Sequence, residues 1–174
     1  MKIGRVVISA EEIDAKLAEM GAQITEDYRD KDLLLVGILK GAFVVMADLA
    51  RHIDLPVEFD FMAVSSYGSA TKSSGVVRIL KDLDQEIDGR HVLIVEDIVD
   101  TGLTLHYLLK NLEVRKPASL SLAALLIKDG VDRPPLDVRY EGFHIPPAFV
   151  IGYGLDYDGK YRNLPYVAEV EDLE

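Results

Sequence analysis

The fold is decided by residues 91–104, which read His91-Val92-Leu93-Ile94-Val95-Glu96-Asp97-Ile98-Val99-Asp100-Thr101-Gly102-Leu103-Thr104. The apolar run before Glu96 predicts a buried strand, and the adjacent carboxylates of Glu96 and Asp97 follow it. A third carboxylate, Asp100, comes three residues later, and a Thr-Gly-Leu-Thr turn then opens an amphipathic helix. Open α/β sheets bind their ligands at the carboxyl ends of parallel strands. We therefore expect a ligand site at this point of the chain.

The same residues predict the chemistry of the ligand. The turn at 101–104 offers backbone N–H groups, two hydroxyls and a helix N-terminus, which together suit an anion. The carboxylates accept hydrogen bonds from hydroxyl groups. A sugar phosphate satisfies both halves of the motif. An Asp here could instead serve only as a helix cap, but a cap does not require three carboxylates, a Gly and two Thr.

The remaining pattern predicts one α/β domain over residues 1–174. A capping box at Ser9–Glu12 opens a helix, and continuous apolar runs typical of strands buried on both faces occupy Leu33–Leu39 and Leu120–Ile127. A helix over 42–52 and strands over 57–64, 76–80 and 148–151 complete the prediction. Strands that alternate with helices imply a parallel sheet with right-handed crossovers. The N-terminal and late segments would cover its carboxyl edge, with an acidic tail at 168–174 that is partly exposed.

Composition and charge exclude several functions. The chain has 174 residues, of which 49% are hydrophobic and 28% charged, as in soluble globular proteins. Without cysteine it has no disulfides, thiol nucleophiles or thiolate metal sites. Its apolar runs are too short for a membrane span or a signal segment, so we expect a cytoplasmic protein that binds no membrane. The net charge of -11 argues against a nucleic-acid surface, which needs a basic stripe.

The run Val95–Gly102 resembles the phosphoribosyl-pyrophosphate (PRPP) motif of the type I phosphoribosyltransferases almost position for position. Three further segments are similar to the bacterial hypoxanthine-guanine phosphoribosyltransferases, namely Gly37–Ala42, Val64–Gly68 and Phe149–Tyr157. The similarity extends over essentially the whole chain. It implies an α/β fold of the type I phosphoribosyltransferase class, with a central, mainly parallel sheet flanked by helices and a small hood over its carboxyl edge. The hood would consist of the N-terminal and C-terminal segments.

The family's activity is implied with its fold. A purine salvage enzyme of this kind transfers the 5-phosphoribosyl group from PRPP to hypoxanthine or guanine, which gives IMP or GMP and releases pyrophosphate. The transition state resembles an oxocarbenium ion. Catalysis therefore requires electrostatic stabilisation, removal of the purine proton and exclusion of water. The resemblance also implies a homodimer or homotetramer.

The resemblance assigns the PRPP motif to three tasks. Glu96 and Asp97 would face the ribose hydroxyls, and Asp100 would be the general base at N7 of the purine. The 5-phosphate would be held at the start of the helix by Thr101, Gly102, Leu103 and Thr104. Of these, Leu103 has no side-chain donor and would act through its backbone.

Pyrophosphate and metal are assigned to other segments. The pyrophosphate would contact Lys40 and Gly41, often through a cis peptide bond in the family, and Arg162 can offer it a bidentate fork. Because the substrate is anionic and so is the chain, a cation is needed. Mg²⁺, which takes hard oxygen ligands, would be held by Asp156 with Glu96 and Asp97.

The resemblance assigns purine recognition and water exclusion to residues in or near the ends of three further strands. Lys128 is a donor only, so beside the base it favours a carbonyl at position 6 over an amine. Phe149 would stack on the base, and the backbone of Val150 would bind its pyrimidine edge. Ser66 and Tyr67 would open a lid over 65–75, a long loop of the kind that is usually functional.

Other functions remain open at this stage. A regulator on the same fold would bind nucleic acid, which the acidic balance disfavours. A transferase for adenine or a pyrimidine is disfavoured by Lys128 and by the Phe149-Val150 segment, whereas xanthine remains a possible substrate. A Mg²⁺-dependent phosphatase would need two Asp residues two positions apart, which Asp97 and Asp100 are not.

Overall fold

The computed structural model describes residues 1–66 and 77–171. Its helices and strands follow one another in the order β1 (Lys2–Ile8), α1 (Ala10–Asp27), β2 (Leu33–Leu39), α2 (Ala42–Arg51), β3 (Glu58–Ser66), β4 (Val77–Lys81), β5 (His91–Val99), α3 (Leu103–Glu113), β6 (Ser119–Lys128), β7 (Tyr140–Ile145), β8 (Val150–Ile151) and β9 (Val167–Glu171).

A six-stranded sheet forms the centre, with strand order β4-β3-β2-β5-β6-β7. Every neighbouring pair is parallel except β3 and β4, which are antiparallel. Helices α1 and α2 cover one face and α3 covers the other, each over its own apolar cluster. Residues 33–38 and 92–95 are buried because both faces of the sheet are covered. The predicted α/β fold with a mainly parallel sheet is confirmed.

The first helix begins where its capping residues predict. The backbone N–H of Glu12 donates to Ser9 Oγ at 3.1 Å, and the backbone N–H of Ser9 donates to Glu12 Oε1 at 3.2 Å. This reciprocal pair satisfies N–H groups that have no partner inside the helix. The apolar residues at helical spacing on this helix lie in the core, as expected: Ile13, Leu17, Met20 and Ile24.

A second, smaller sheet has the order β1-β9-β8, and all its pairs are antiparallel. Strands β1, β7 and β9 were not predicted, since each mixes polar with apolar residues. The prediction of a partly exposed tail holds for Glu171 but is wrong for Ala168, which is buried in the pairing of β9 with β1 and β8. Residues 172–174 lie outside the described part of the chain. Ile8, Val150 and Val167 attach this small sheet to the core on the side of α1 and α2.

The helices carry no membrane-spanning segment. Among the residues that the structure describes, no helix is both long enough and apolar enough to cross a bilayer.

Candidate active site

The carboxyl end of β5 and the turn after it form a cavity. Its volume is about 190 Å³, and it is lined on one side by Glu96 and on the other by the turn from Asp100 to Thr104. Gly102 precedes the first helical residue with φ of 68°, in the left-handed region. The backbone conformation favours glycine, and an added Cβ there would lie 2.5 Å from Leu136 Cδ1, so the end of the Leu136 side chain would have to move. The predicted phosphate turn therefore stands beside the predicted carboxylate pair.

The two adjacent carboxyls of this strand are coupled. Burial raises the pKa of the Glu96 carboxyl well above its ordinary value, and the charge of Asp97 acts in the same direction. Burial raises the pKa of Asp97 too, against the N–H of Ile98 at 2.8 Å and the positive charge of Arg162. Burial therefore opposes the negative charge on both carboxyls. Their oxygens can accept hydrogen bonds from vicinal hydroxyls.

The third carboxylate of the motif pairs with a lysine of the neighbouring strand. Asp100 follows β5, and Lys128 is the last residue of the adjacent parallel strand β6. Lys128 Nζ donates to Asp100 Oδ2 at 3.0 Å. Only 14% of the Lys128 side chain is exposed, against 50% for Asp100. Lys128 and Asp100, to which the sequence analysis gave separate roles, thus form one ion pair at the edge of the sheet.

The loop after β2 reaches the carboxylate pair. The peptide bond between Leu39 and Lys40 is cis. A Cβ at Gly41 would overlap Asp97 Oδ2, and a Cβ at Gly154 would overlap the carbonyl oxygen of Gly41. These overlaps mean that the Gly41 backbone is packed between Asp97 and Gly154. The segments predicted to hold pyrophosphate and ribose are therefore in direct contact.

Asp156 and Arg162 complete this side of the site. Arg162 Nη2 lies 3.3 Å from Asp156 Oδ1, and Nη1 donates to the carbonyl of Gly154 at 2.6 Å. The second oxygen of Asp156 accepts from the N–H of Gly159 at 2.9 Å. Arg162 is thereby held between the turn that touches Gly41 and the carboxylate predicted to bind metal.

The residues predicted to bind the purine are described by the structure, whereas most of the predicted lid is not. Phe149, just before β8, is 43% exposed and meets Tyr157 edge-on at 6.0 Å between ring centroids. Val150 is buried in the core, so only its backbone is available to a ligand. Ser66 ends β3. Tyr67 and the rest of the predicted lid up to Gly75 lie outside the described residues.

Comparison with known proteins gives one consistent result. The family model described as a phosphoribosyl transferase domain matches residues 9–158. A hypoxanthine-guanine phosphoribosyltransferase of Mycobacterium avium is 55% identical over 175 residues, or 97% of this chain and 86% of that protein. Its counterpart in Bacillus subtilis is 51% identical over 165 residues, or 95% and 92%. A Staphylococcus aureus hypoxanthine phosphoribosyltransferase crystal structure superposes with a TM-score of 0.95 at 44% identity, covering 97% of this chain and 92% of that one.

The chain belongs to the hypoxanthine-guanine phosphoribosyltransferase family. The resemblance drawn from four sequence segments is thereby confirmed, as is the fold that it implied.

This phosphoribosyltransferase has no preformed metal cage in the described part of the chain. Across residues 1–66 and 77–171, no three His, Asp or Glu side chains are grouped so that they could hold a metal ion. Mg²⁺ in particular is usually held by one or two carboxylates together with substrate phosphates. The carboxylates of Asp97 and Asp156, on either side of the Gly41 and Gly154 contact, suit that mode of binding.

Two contacts of this phosphoribosyltransferase were missed by reasoning from the sequence. Tyr153 donates from its hydroxyl to Asp48 of α2, which fastens the turn at Gly152–Gly154 against the helix that follows Gly41. Arg133, assigned only to a loop, donates to the backbone carbonyls of Asp100 and Lys128. The contacts with Asp48 and Asp100 do not follow from spacing, because each joins residues far apart in the chain, and the contact with Lys128 depends on how the loop after β6 folds back. The glycines on either side of Tyr153 were the one available signal of a tight turn.

Proposed function

We propose that the site binds PRPP and a 6-oxopurine and transfers the 5-phosphoribosyl group to hypoxanthine or guanine. The protein is a purine salvage enzyme, a pentosyltransferase that forms IMP or GMP and pyrophosphate. The observation that carries this proposal is the pair of Lys128 and Asp100 beside a cavity bounded by a phosphate turn.

The pair matches one edge of the base. In a 6-oxopurine the oxygen at position 6 and N7 are neighbours on the same edge. Lys128 can donate to the oxygen while Asp100 accepts the proton of N7, since their side-chain atoms are 3.0 Å apart. Adenine would place an amine, itself a donor, against Lys128, which has no acceptor. The pair therefore selects a carbonyl over an amine.

The sugar is proposed to lie along β5. Glu96 and Asp97 would bind the ribose hydroxyls and stabilise positive charge on the sugar as the bond from C1 to pyrophosphate breaks. Backbone N–H groups from Thr101 to Thr104, with the Thr101 and Thr104 hydroxyls, would hold the 5-phosphate. N9 of the base then bonds to C1, and Asp100 takes the N7 proton.

The leaving group is proposed to lie against the opposite loop. Lys40, Gly41 and Arg162 would bind pyrophosphate, whose charge is offset by the two cationic side chains. Mg²⁺ bound between Asp156 and the oxygens of the substrate itself would neutralise further charge on the leaving group, and Glu96 and Asp97 would lie near it on the ribose side.

The surrounding segments are proposed to exclude water. The small sheet β1-β9-β8 would be the hood of a single domain spanning residues 1–174. Phe149 at its margin would stack on the purine, and the backbone of Val150 would bind the pyrimidine edge. Ser66 and Tyr67 would begin a lid, an assignment that depends on the family resemblance of the Val64–Gly68 segment.

We propose self-association through an apolar face. Phe43 of α2 and Phe59 of β3 are each 47% exposed, and they border a cavity of about 470 Å³ together with Phe61 and Val57. Exposed apolar patches of this kind mark protein interfaces, and most oligomers are formed from identical chains. We expect a dimer or tetramer by light scattering, and Phe59→Glu should reduce it to monomers. A wild-type monomer at micromolar concentration would contradict this.

The function is tested by incubating the protein with Mg²⁺, PRPP and, separately, hypoxanthine, guanine, xanthine and adenine. We expect nucleotide from hypoxanthine and guanine and none from adenine. Bound PRPP without product from any base would instead indicate a regulator on the same fold. Product from adenine would contradict the argument from Lys128.

Two variants test the roles of the pair. Asp100→Asn should lower kcat by about 10²–10⁴-fold, the usual range for loss of a general base, while PRPP still binds. Lys128→Ala should raise the KM for 6-oxopurines. Unchanged kinetics in either variant would remove that residue from the mechanism. Lys110→Ala, a change on α3 outside the pair, serves as the control.

A further inference from the structure

We infer that Arg133 is a positioning residue that fixes the spacing between the general base Asp100 and the purine-binding Lys128. This inference rests on the proposed function of that pair. Arg133 lies in the loop between β6 and β7 and is partly buried.

Three contacts form a closed ring around these residues. Arg133 Nε donates to the backbone carbonyl of Asp100 at 2.9 Å, and its Nη2 donates to the backbone carbonyl of Lys128. These are the same two residues whose side chains form the 3.0 Å ion pair. One guanidinium therefore links the backbones of both residues, while their side chains meet on the side of the base.

The guanidinium is suited to this task by its shape. It presents several N–H donors in a rigid planar fork, so it can hold two carbonyls at a set separation. A lysine in its place has three donors on one compact ammonium at the end of a flexible stem, so it can reach both carbonyls only with looser geometry. The distance between the two backbones is thus set by a rigid group.

The loop that carries Arg133 is itself supported by the phosphate turn. Leu136 and the Cδ of Arg133 lie against Gly102, 2.5 Å and 3.9 Å from where a Cβ would stand. The loop therefore cannot shift freely relative to the turn at 101–104. The pairing of β5 with β6 runs in register up to Val99 and Ile127, so Asp100 and Lys128 are the residues that follow this last pair. Arg133 links their backbones beyond the end of that ladder.

The consequence concerns the purine and not PRPP. Asp100 and Lys128 must address neighbouring atoms on one edge of the base at the same time. A displacement of about 1 Å in a reacting geometry can cost about 10²-fold in rate. Loss of the fork should therefore reduce purine turnover strongly and leave the affinity for PRPP nearly unchanged.

The test compares Arg133→Met and Arg133→Lys with wild type. We expect kcat/KM for hypoxanthine to fall by about 10–10²-fold in Arg133→Met, with a smaller fall in Arg133→Lys. The Kd for PRPP, measured by calorimetry without purine, should stay within about twofold. Arg115→Met is the matched control, because Arg115 also holds two contacts, at 2.9 and 3.1 Å, but to Asp82 outside the site.

The outcomes are distinguishable. A fall in purine kcat/KM with intact PRPP binding and an unfolding midpoint like that of Arg115→Met supports the inference. Equal loss of PRPP binding, or purine kinetics within twofold of wild type, overturns it. If Arg133→Met does not fold, Arg133→Lys decides the matter by the same two constants. Wild-type protein without any transfer activity would overturn the proposed function, and this inference with it.

Discussion

Gly154 is the residue whose substitution tests the packing of the site most directly. Its φ is 96°, a backbone conformation that L side chains rarely adopt. A Cβ there would overlap the carbonyl oxygen of Gly41 and lie 3.6 Å from Val44 Cβ. The carbonyl is backbone, so it can yield only if the loop moves, and that loop touches Asp97. Gly154→Ala should therefore disturb both the stability and the pyrophosphate side of the site.

The expected loss in the free energy of unfolding of Gly154→Ala has two contributions. A positive φ costs an L residue about 1–2 kcal/mol, and forcing an extra methyl into a packed position typically costs about 1–3 kcal/mol. We therefore expect a loss of about 2–5 kcal/mol in the free energy of unfolding. For a chain of this length each kcal/mol lowers Tm by about 2–4 °C, so Tm should fall by about 4–20 °C.

Gly89→Ala is the matched control for this prediction. Gly89 has φ of 72° but no atom within 4 Å of its added Cβ, so its substitution carries only the conformational cost of about 1–2 kcal/mol. Both variants are measured by urea unfolding and by the KM for PRPP, which should rise only in Gly154→Ala. If Gly154→Ala is no less stable than Gly89→Ala and keeps its KM, the contact between Gly154 and Gly41 does not exist as described.

Three further predictions concern charge and metal. Burial raises the pKa of Glu96 above its ordinary value of 4.5, so ionisation of Glu96 should lower the stability of the folded protein as pH rises above that value. Glu96→Gln should therefore raise Tm at pH 7.5, lose this advantage near pH 4.5, and weaken activity. An unchanged Tm at pH 7.5 would refute the prediction. Glu141 and Asp129 raise the pKa of His144, so the stability that protonated His144 adds to the fold is complete below pH 6.5 and is lost as pH rises through the raised pKa. His144→Gln should abolish this pH dependence. The change in the free energy of unfolding should be less than about 1 kcal/mol, because the contacts are exposed. Excess chelator should abolish nucleotide formation and added Mg²⁺ should restore it, whereas full activity in chelator would exclude the metal.

Much of the site could be predicted because it depends on residues that are neighbours in the sequence. The run from Val92 to Asp97 places a carboxylate pair at the end of a buried strand, and Gly102 marks a turn whose left-handed backbone favours glycine. The helix caps and the buried strands follow in the same way. Lys128 stands immediately after a continuous apolar run, and its assignment to the purine came from the family resemblance.

What could not be predicted depends on contacts between distant segments. The strand β9 is formed by a tail that reads as polar, and it becomes a strand because β1 and β8 pair with it. The packing of Gly41 between Asp97 and Gly154 joins three parts of the chain, each of which reads alone only as a turn or a strand end.

The strand, turn and helix that present the carboxylates and the phosphate turn could be read from the sequence, because periodicity and the conformational freedom of glycine act within a few residues. The meeting of Lys128 with Asp100, and the link that Arg133 makes to both, depend on the three-dimensional fold. Those contacts require two parallel strands in register and a loop that returns across their ends. The spacing of residues along the chain does not predict which distant residues come into contact in the folded protein.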